Sequence, residues 1–220
     1  SNLGWEPKKS DKHTDALLRT FAIAVLGKMN DEIVTDEAIK KYKKFLKSPR
    51  SLSPDLIETI CSIAAWNGNS KTFAELKKLY TNAKTMEEKL RFLGAMCGFQ
   101  DKKLLVKTLD FSQTSAVRSQ NMQLPIMKIA GNPYGDKVLW SWLKKNWKKI
   151  NKKVGHGNPL FNRIVASITG VADDSMEKEI KLFFKNNPTP GTERTQSQTL
   201  ERIRINSKFL RTMRKEFKNG

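Results

Sequence analysis

The stretch from Ser53 to Asn69, SPDLIETICSIAAWNGN, decides the fold class of this chain. Ser53 is a preferred N-cap residue, and Pro54 stands at the first helical position, where a missing N–H costs nothing. The apolar residues that follow recur at three- and four-residue steps, the period of an amphipathic helix: Leu56, Ile57, Ile60, Ile63 and Ala64. Asn67-Gly68 then ends the pattern. The stretch therefore predicts one complete helix with both of its ends.

Similar signals recur along the whole chain. Thr35-Asp36-Glu37 predicts the start of an earlier helix, which Ser48-Pro49 ends. Thr85 with Glu88 is a capping box. A helix is expected over about 116–130, with a kink at Pro125. A long last helix is expected from about Glu193 towards the C-terminus. No sustained apolar/polar alternation is present, so no strand is predicted.

These signals predict an all-α fold of roughly eleven amphipathic helices. Helices of this kind bury their apolar sides by pairing antiparallel, and stacked pairs form a curved, HEAT/armadillo-like superhelix, or bowl. No exact repeat near the period of known helical arrays is visible, so this architecture rests on the helix pairs alone. We expect a single helical domain over residues 3–220, with Pro188–Gly191 as the best candidate linker. Ser1-Asn2 is expected to be an expression scar.

The chain is strongly basic, with 41 Lys+Arg against 22 Asp+Glu and a net charge of +19. Such a charge suggests an anionic partner: nucleic acid, a membrane surface or a carboxylate-bearing ligand. The segment from Lys137 to Val154 carries seven lysines and no acidic residue. The nearest acidic residue, Asp136, comes just before it. These lysines lie mostly off the apolar stripe of the same helix, which favours a solvated face; the alternative is a surface that faces an anion. Its tryptophans, Trp140, Trp142 and Trp147, are expected to pack between helices rather than stack on bases.

The sequence offers no recognisable catalytic or metal site. His13 and His156 are far apart, and no HExxH motif is present. Cys61 and Cys97 lie singly on apolar helix stripes, as buried reduced thiols do. We therefore assign no catalytic residue, no metal ligand and no cofactor within the chain. The thiols favour a cytoplasmic protein, and no apolar run approaches the length of a membrane span.

Three groups of residues resemble the C-terminal domain of aminopeptidase N-type zinc aminopeptidases. The first group is Leu3-Gly4-Trp5 followed by Leu17-Leu18-Arg19. The second is Ala130–Gly135 followed by Leu139–Trp147. The third is Phe183-Phe184, Thr192-Glu193-Arg194, Gln198–Ile203 and Asn206. Their order and spacing are similar in particular to the puromycin-sensitive and tricorn-interacting-factor branches, and together they span nearly the whole chain.

This resemblance implies a non-catalytic domain that encloses the active-site chamber and helps peptide access and recognition. The zinc ion and the catalytic residues would lie in a separate catalytic domain, which would be the partner of this one. Four residues at helical spacing on the last helix are candidates for facing the peptide: Arg194, Gln198, Glu201 and Arg202. They could attract the peptide's C-terminal carboxylate, or they could form an ordinary interhelix ion-pair network. The alternative function is a basic helical-repeat module that binds nucleic acid or a protein partner, with nucleic acid the less expected.

Overall fold

The fold is all-α, as the sequence predicts. The structure is a computed structural model that describes residues 3–6, 8, 10–155, 158–170 and 174–217. Within these residues there are no strands, and the α-helices are α1 (His13–Lys28), α2 (Glu32–Lys47), α3 (Pro54–Trp66), α4 (Ser70–Asn82), α5 (Met86–Ala95), α6 (Lys102–Ser112), α7 (Gln123–Ala130), α8 (Asp136–Val154), α9 (Pro159–Ala166), α10 (Asp174–Asn186) and α11 (Glu193–Glu216). Their number agrees with the expectation of roughly eleven.

The second helix begins one turn earlier than expected. The N-cap of α2 is Asp31, whose carboxylate accepts a hydrogen bond from the Val34 N–H at 2.9 Å. Asn30 turns the chain just before it with a left-handed φ of 58°. The turn is short, so the first residue after it that can cap a helix, Asp31, becomes the N-cap. The prediction of an N-cap at Thr35 was therefore wrong.

The kinked helix expected over 116–130 is also wrong. A short 3₁₀ turn over Ser119–Asn121 comes first, and α7 begins at Gln123. Pro125 is the third residue of α7, where the backbone N–H groups have no intrahelical acceptor in any case. The proline thus lies at the start of a short helix and does not bend a longer one.

The chain divides into two compact units between Thr108 and Leu109, inside α6. In the first unit, α3 is the central helix and packs against α1, α2 and α5. Its inward side is fully buried, with Ile60, Cys61 and Ala65 all inaccessible to solvent. Gly27 of α1 permits a close approach here, since a methyl group added to it would lie 2.5 Å from the Ile63 Cδ1 atom. The single domain over 3–220 stays a prediction.

Arg19 ties the start of the chain to α1. Its side chain is only 3% exposed, and its Nε atom donates to the carbonyl oxygens of Leu3 and Gly4, both at 3.2 Å. Its Nη2 atom pairs with the Asp11 carboxylate. The pKa of Asp11 is lowered, chiefly by a hydrogen bond from the Lys8 backbone N–H and next by Arg19. Two pieces of the first resemblance group, at residues 3–5 and 17–19, are therefore in direct contact.

In the second unit, an aromatic cluster joins three helices. The ring of Trp147 on α8 lies edge-on to Phe161 of α9 and to Phe183 and Phe184 of α10, with centroids 5.1, 5.2 and 5.7 Å away. Trp140 packs on Phe183 in the same way, at 5.1 Å. All three tryptophans of α8 are buried. The expectation that they pack between helices is confirmed.

The turn before α8 gives a stability prediction. A methyl group at Gly135 would lie 2.0 Å from the Ile129 carbonyl oxygen, and backbone cannot move aside cheaply. We expect Gly135→Ala to lower the free energy of unfolding by about 1–3 kcal/mol, as overpacking does. The matched control is Gly131→Ala, whose methyl group would meet only the Lys128 carbonyl oxygen at 3.6 Å. That variant should be neutral or slightly stabilised in urea denaturation. Equal midpoints for the two variants would contradict the packing argument.

Candidate functional site: the outer side of the last helix

Helix α11 is held on one side by buried residues and interhelix hydrogen bonds. Its buried positions are Thr199, Ile203 and Ser207. The Thr195 hydroxyl donates to Asn162 Oδ1 of α9 at 2.6 Å, and the Asn206 amide donates to the Thr169 carbonyl oxygen at 3.2 Å. These contacts set the rotation of α11 about its own axis. The residues on its other side are consequently turned to solvent.

An ion pair joins α11 to α10. The Arg204 Nη2 atom lies 2.6 Å from Oε1 of Glu177. This hydrogen bond is the main cause that lowers the pKa of Glu177 and raises that of Arg204. The pair is largely exposed on the arginine side, so its contribution to stability is small. Its effect is on orientation, since it fixes which flank of α11 faces α10.

The four candidate residues share the solvent side of α11. Arg194, Gln198, Glu201 and Arg202 are all exposed. Within the described part of the chain, Arg194, Gln198 and Arg202 have no hydrogen bond or ion pair, while Glu201 acts electrostatically on Arg204 of the same helix. The alternative of an interhelix ion-pair network among these four is therefore not what the structure shows. Contact with a peptide stays a prediction.

Apolar side chains continue this exposed side towards the end of α11. Ile205 and Phe209 follow Glu201 at four-residue steps and are 58% and 60% exposed. Ile203 is fully buried, whereas Leu210 is 37% exposed. The buried residues of α11 end at Ser207. The sequence pattern alone did not show where packing stops.

The described residues form no site for a metal ion. No three His, Cys, Asp or Glu side chains among them lie close enough together to hold one. Cys61 and Cys97 are both buried, as expected, and are not joined in a disulfide. Burial raises the pKa of the Cys61 thiol strongly, so this thiol is inert at neutral pH. His156 and Asp173 lie outside the described residues. None of the described helices is both long and apolar enough to cross a membrane.

The carboxyl group of Asp136, the first residue of α8, has a perturbed pKa. Burial raises the pKa of Asp136 to about 6. The group lies among the apolar side chains of Leu139, Trp140 and Ile168. Its position at the N-terminus of α8 favours the charged form and offsets part of this cost. No sequence motif distinguishes this acid from an ordinary cap, because part of its apolar surroundings, Ile168, comes from a distant segment.

The sequence matches the family model of the ERAP1-like C-terminal domain over residues 1–205. The chain belongs to this family. The resemblance that the three residue groups indicate is thereby confirmed. The matched residues include all four candidates on α11.

The curated relatives of this ERAP1-like domain are named as aminopeptidases. The chain is similar to Aminopeptidase M1-D of Oryza sativa subsp. japonica, at 29% identity over 97% of this chain and 25% of that protein. It is similar to Aminopeptidase M1 of Arabidopsis thaliana, at 27% identity over 97% of this chain and 25% of that protein. With "Aminopeptidase 2, mitochondrial" of Saccharomyces cerevisiae it shares 27% identity over 95% of this chain and 22% of that protein. The chain thus spans about a quarter of the length of these relatives.

The two sides of α11 in this ERAP1-like domain should differ sharply in their effect on stability. We expect Ile203→Ala to lower the free energy of unfolding by about 2–4 kcal/mol, because the side chain is fully buried. Ile205→Ala, its exposed counterpart on the same helix, should change it by less than about 0.5 kcal/mol. The triple variant Arg194→Ala, Gln198→Ala, Arg202→Ala should also stay close to wild type. Urea denaturation measures all three, and a large loss in the triple variant would show that these residues serve the fold.

Asp136 should make stability depend on pH in a particular direction. Its folded pKa of about 6 lies above the ordinary aspartate value. The folded state therefore holds the proton more tightly, and this group's contribution to stability falls as pH rises through about 4 to 6. We expect Asp136→Asn to be about 1–2 kcal/mol more stable than wild type at pH 8 and no more stable at pH 4. A difference that is the same at both pH values would contradict the raised pKa.

Proposed function

We propose that this chain is the non-catalytic C-terminal domain of a zinc metallo-aminopeptidase, in which it encloses the active-site chamber and helps peptide substrates to enter and be recognised. The observation that carries the proposal is the family match over residues 1–205, together with relatives that are named as aminopeptidases and are about four times longer. An all-helical module suits an enclosing role, because stacked helices present extended surfaces without supplying reactive groups. Its first partner would be the catalytic domain of the same protein.

The zinc ion of such an enzyme does not fit the residues described here. Structural and catalytic zinc sites need three or four converging His, Cys or carboxylate ligands, and the described residues provide no such group. We therefore place the metal and the peptide-bond chemistry in the remainder of the protein. The two buried thiols, which are not joined in a disulfide, support a cytoplasmic location as part of the same proposal.

Peptide recognition is assigned to the solvent side of α11. Arg194 and Arg202 present two guanidinium groups that no carboxylate of the described residues neutralises. A guanidinium binds a carboxylate through two parallel hydrogen bonds, which suits the free C-terminus of a peptide. Gln198 lies between them along the helix and could donate to peptide carbonyl oxygens. The fixed rotation of α11 keeps these groups on one surface.

The alternative function, binding of nucleic acid, gains no support from the tryptophans of α8. Single-stranded nucleic acid is bound by exposed rings on which bases stack. The three tryptophans of α8, which stand among its lysines, are all at least 96% buried. Helix α8 then supports this function through the charge of its lysines alone, and charge alone is unspecific.

The test is charge reversal at Arg194 in the full-length enzyme. We expect Arg194→Glu to raise the KM for peptides with a free C-terminal carboxylate by about 3–10-fold. A change of this size corresponds to the loss of one charge contact that is exposed or only partly desolvated. Peptides that are amidated at the C-terminus should be affected much less. The matched control is Arg214→Glu, which reverses an exposed charge at the far end of the same helix.

Two results would count against this assignment. An equal change in kcat/KM for the free-acid and amidated peptides would remove the carboxylate contact. A full-length protein that binds zinc and yet cleaves no N-terminal residue from any peptide would remove the aminopeptidase itself.

A further inference from the structure

Helix α1 has an apolar side that no other described element covers. The side chains on it are between 38% and 74% exposed, and they are Leu17, Leu18, Phe21, Val25 and the C-cap residue Met29. At 3.6 residues per turn these five positions fall within about 120° of the helix circumference and extend over about 18 Å. They are called the outer stripe.

The opposite side of α1 makes the contacts with the first unit. Its buried residues are Arg19, Ile23 and Gly27, and the helix packs against α2 and α3. Arg19 is hydrogen-bonded to the start of the chain, and Gly27 lies close against Ile63, so the rotation of α1 is fixed from this side. Helix α1 therefore buries one large apolar side chain, Ile23, and leaves more of them in solvent. A helix that is apolar on both sides is typical of a buried position.

The residues beside the outer stripe carry no exposed charge. Between Thr14 and Lys28 the charged residues of α1 are Asp15, which is half-buried, and Arg19, which is buried. The flanking positions are small and half-buried: Ala16, Thr20 and Ala24 on one flank and Ala22 on the other. Helices that lie on membranes carry Lys and Arg beside their apolar side, and this stripe does not. Small flanking residues instead let a second protein element approach α1 closely.

The start of the chain is fastened to the same helix. The Arg19 Nε atom donates to the carbonyl oxygens of Leu3 and Gly4 at 3.2 Å, and its Nη2 atom donates to Leu3 at 3.1 Å. In a longer protein, the polypeptide before Leu3 thus joins this unit at α1. The outer stripe lies on the other side of that helix, which is about 10–12 Å thick. So short a tether gives a preceding domain an effective concentration of about millimolar at the stripe.

We propose that the outer stripe is the surface on which the preceding domain of the same polypeptide packs, through an uncharged apolar patch of its own. This inference rests on the proposed function, since it needs the remainder of a longer protein, and the chain spans only 25% of a relative such as Aminopeptidase M1-D. The tether favours this occupant over a second copy, which would have to associate from solution. Packing on α1 fixes how this domain sits on the rest of the protein, as an enclosing role requires.

The experiment compares the accessibility of α1 in the full-length protein with that in this 220-residue chain. Phe21→Cys places a thiol in the middle of the outer stripe, and mass spectrometry of the α1 peptide follows its reaction with a maleimide. We expect labelling to be at least about tenfold slower in the full-length protein, because a buried thiol is unreactive. The matched control is Lys78→Cys at an exposed position of α4, which should react equally fast in both proteins.

A second set of variants tests whether the contact is apolar. Leu17→Asp with Phe21→Asp should restore fast labelling of a Leu18→Cys reporter in the full-length protein, because unpaired carboxylates are not buried. The matched control makes the same chemical change at two exposed apolar positions of the second unit, Leu182→Asp and Ile205→Asp. The reporter should stay protected in that control. Circular dichroism checks that each variant is folded.

Four results would overturn the proposal. The first is equally fast labelling of Phe21→Cys in both proteins, and the second is equal protection at Lys78→Cys. The third is labelling of the isolated chain that slows between about 1 and about 100 μM protein, which would assign the outer stripe to a second copy. The fourth is protection that appears only when lipid vesicles are added.

Aminopeptidase activity is measured on the same full-length preparation, so the two proposals fail separately. Protection of Phe21→Cys in a protein without this activity supports the packing on α1 and removes the proposed function. Unprotected Phe21→Cys in an active enzyme removes the packing and leaves the function.

Discussion

The packing of Trp147 against three phenylalanine rings is the interaction on which the second unit depends. The indole ring receives Phe161 from α9 and Phe183 and Phe184 from α10, all edge-on and within 6 Å between centroids. Edge-to-face contacts of this kind restrict the rotation of each helix as well as its distance from the others. Once α8 and α10 are held in this way, their apolar sides face inward and their lysines face solvent. The exposed charge is thus a consequence of how the aromatic core is arranged.

The position of acidic side chains then determines which cations stay unpaired. Glu177 and Glu179 are two residues apart on α10 and point to different neighbours, α11 and α8. The cations that they pair with, Arg204 and Lys144, are engaged, whereas Arg194 and Arg202 on the outer side of α11 have no ion pair among the described residues. A basic protein of this kind does not have a uniformly positive surface. It has seams with balanced charge and faces with uncompensated charge, and the latter are where anionic partners are attracted.

The contacts of Arg19 explain why residues far apart in the chain form one recognisable signature. An isolated Leu-Gly-Trp or Leu-Leu-Arg carries little information. In the structure Arg19 is almost fully buried and donates to the carbonyl oxygens of Leu3 and Gly4. It also pairs with the Asp11 carboxylate, so these three acceptors all rely on one side chain. Removing one partner of such a buried network leaves the others unsatisfied. Gly4, with a φ of 58°, takes the left-handed conformation that glycine adopts without strain.

The sequence by itself determined the all-α fold, the helix ends that have strong caps, and the family. The Thr85–Glu88 capping box is present as predicted, because a cap is a contact between residues only a few positions apart. Thr35 is not the N-cap of α2 because Asp31 caps the helix first, directly after a short turn. Pro125 does not kink a helix because α7 begins only two residues before it. Only the tertiary structure decided which side chains are paired, as Glu179 with Lys144 thirty-five residues away, and where packing ends along α11. Those outcomes depend on neighbours brought together by the core, and no local pattern specifies which neighbour a side chain will meet.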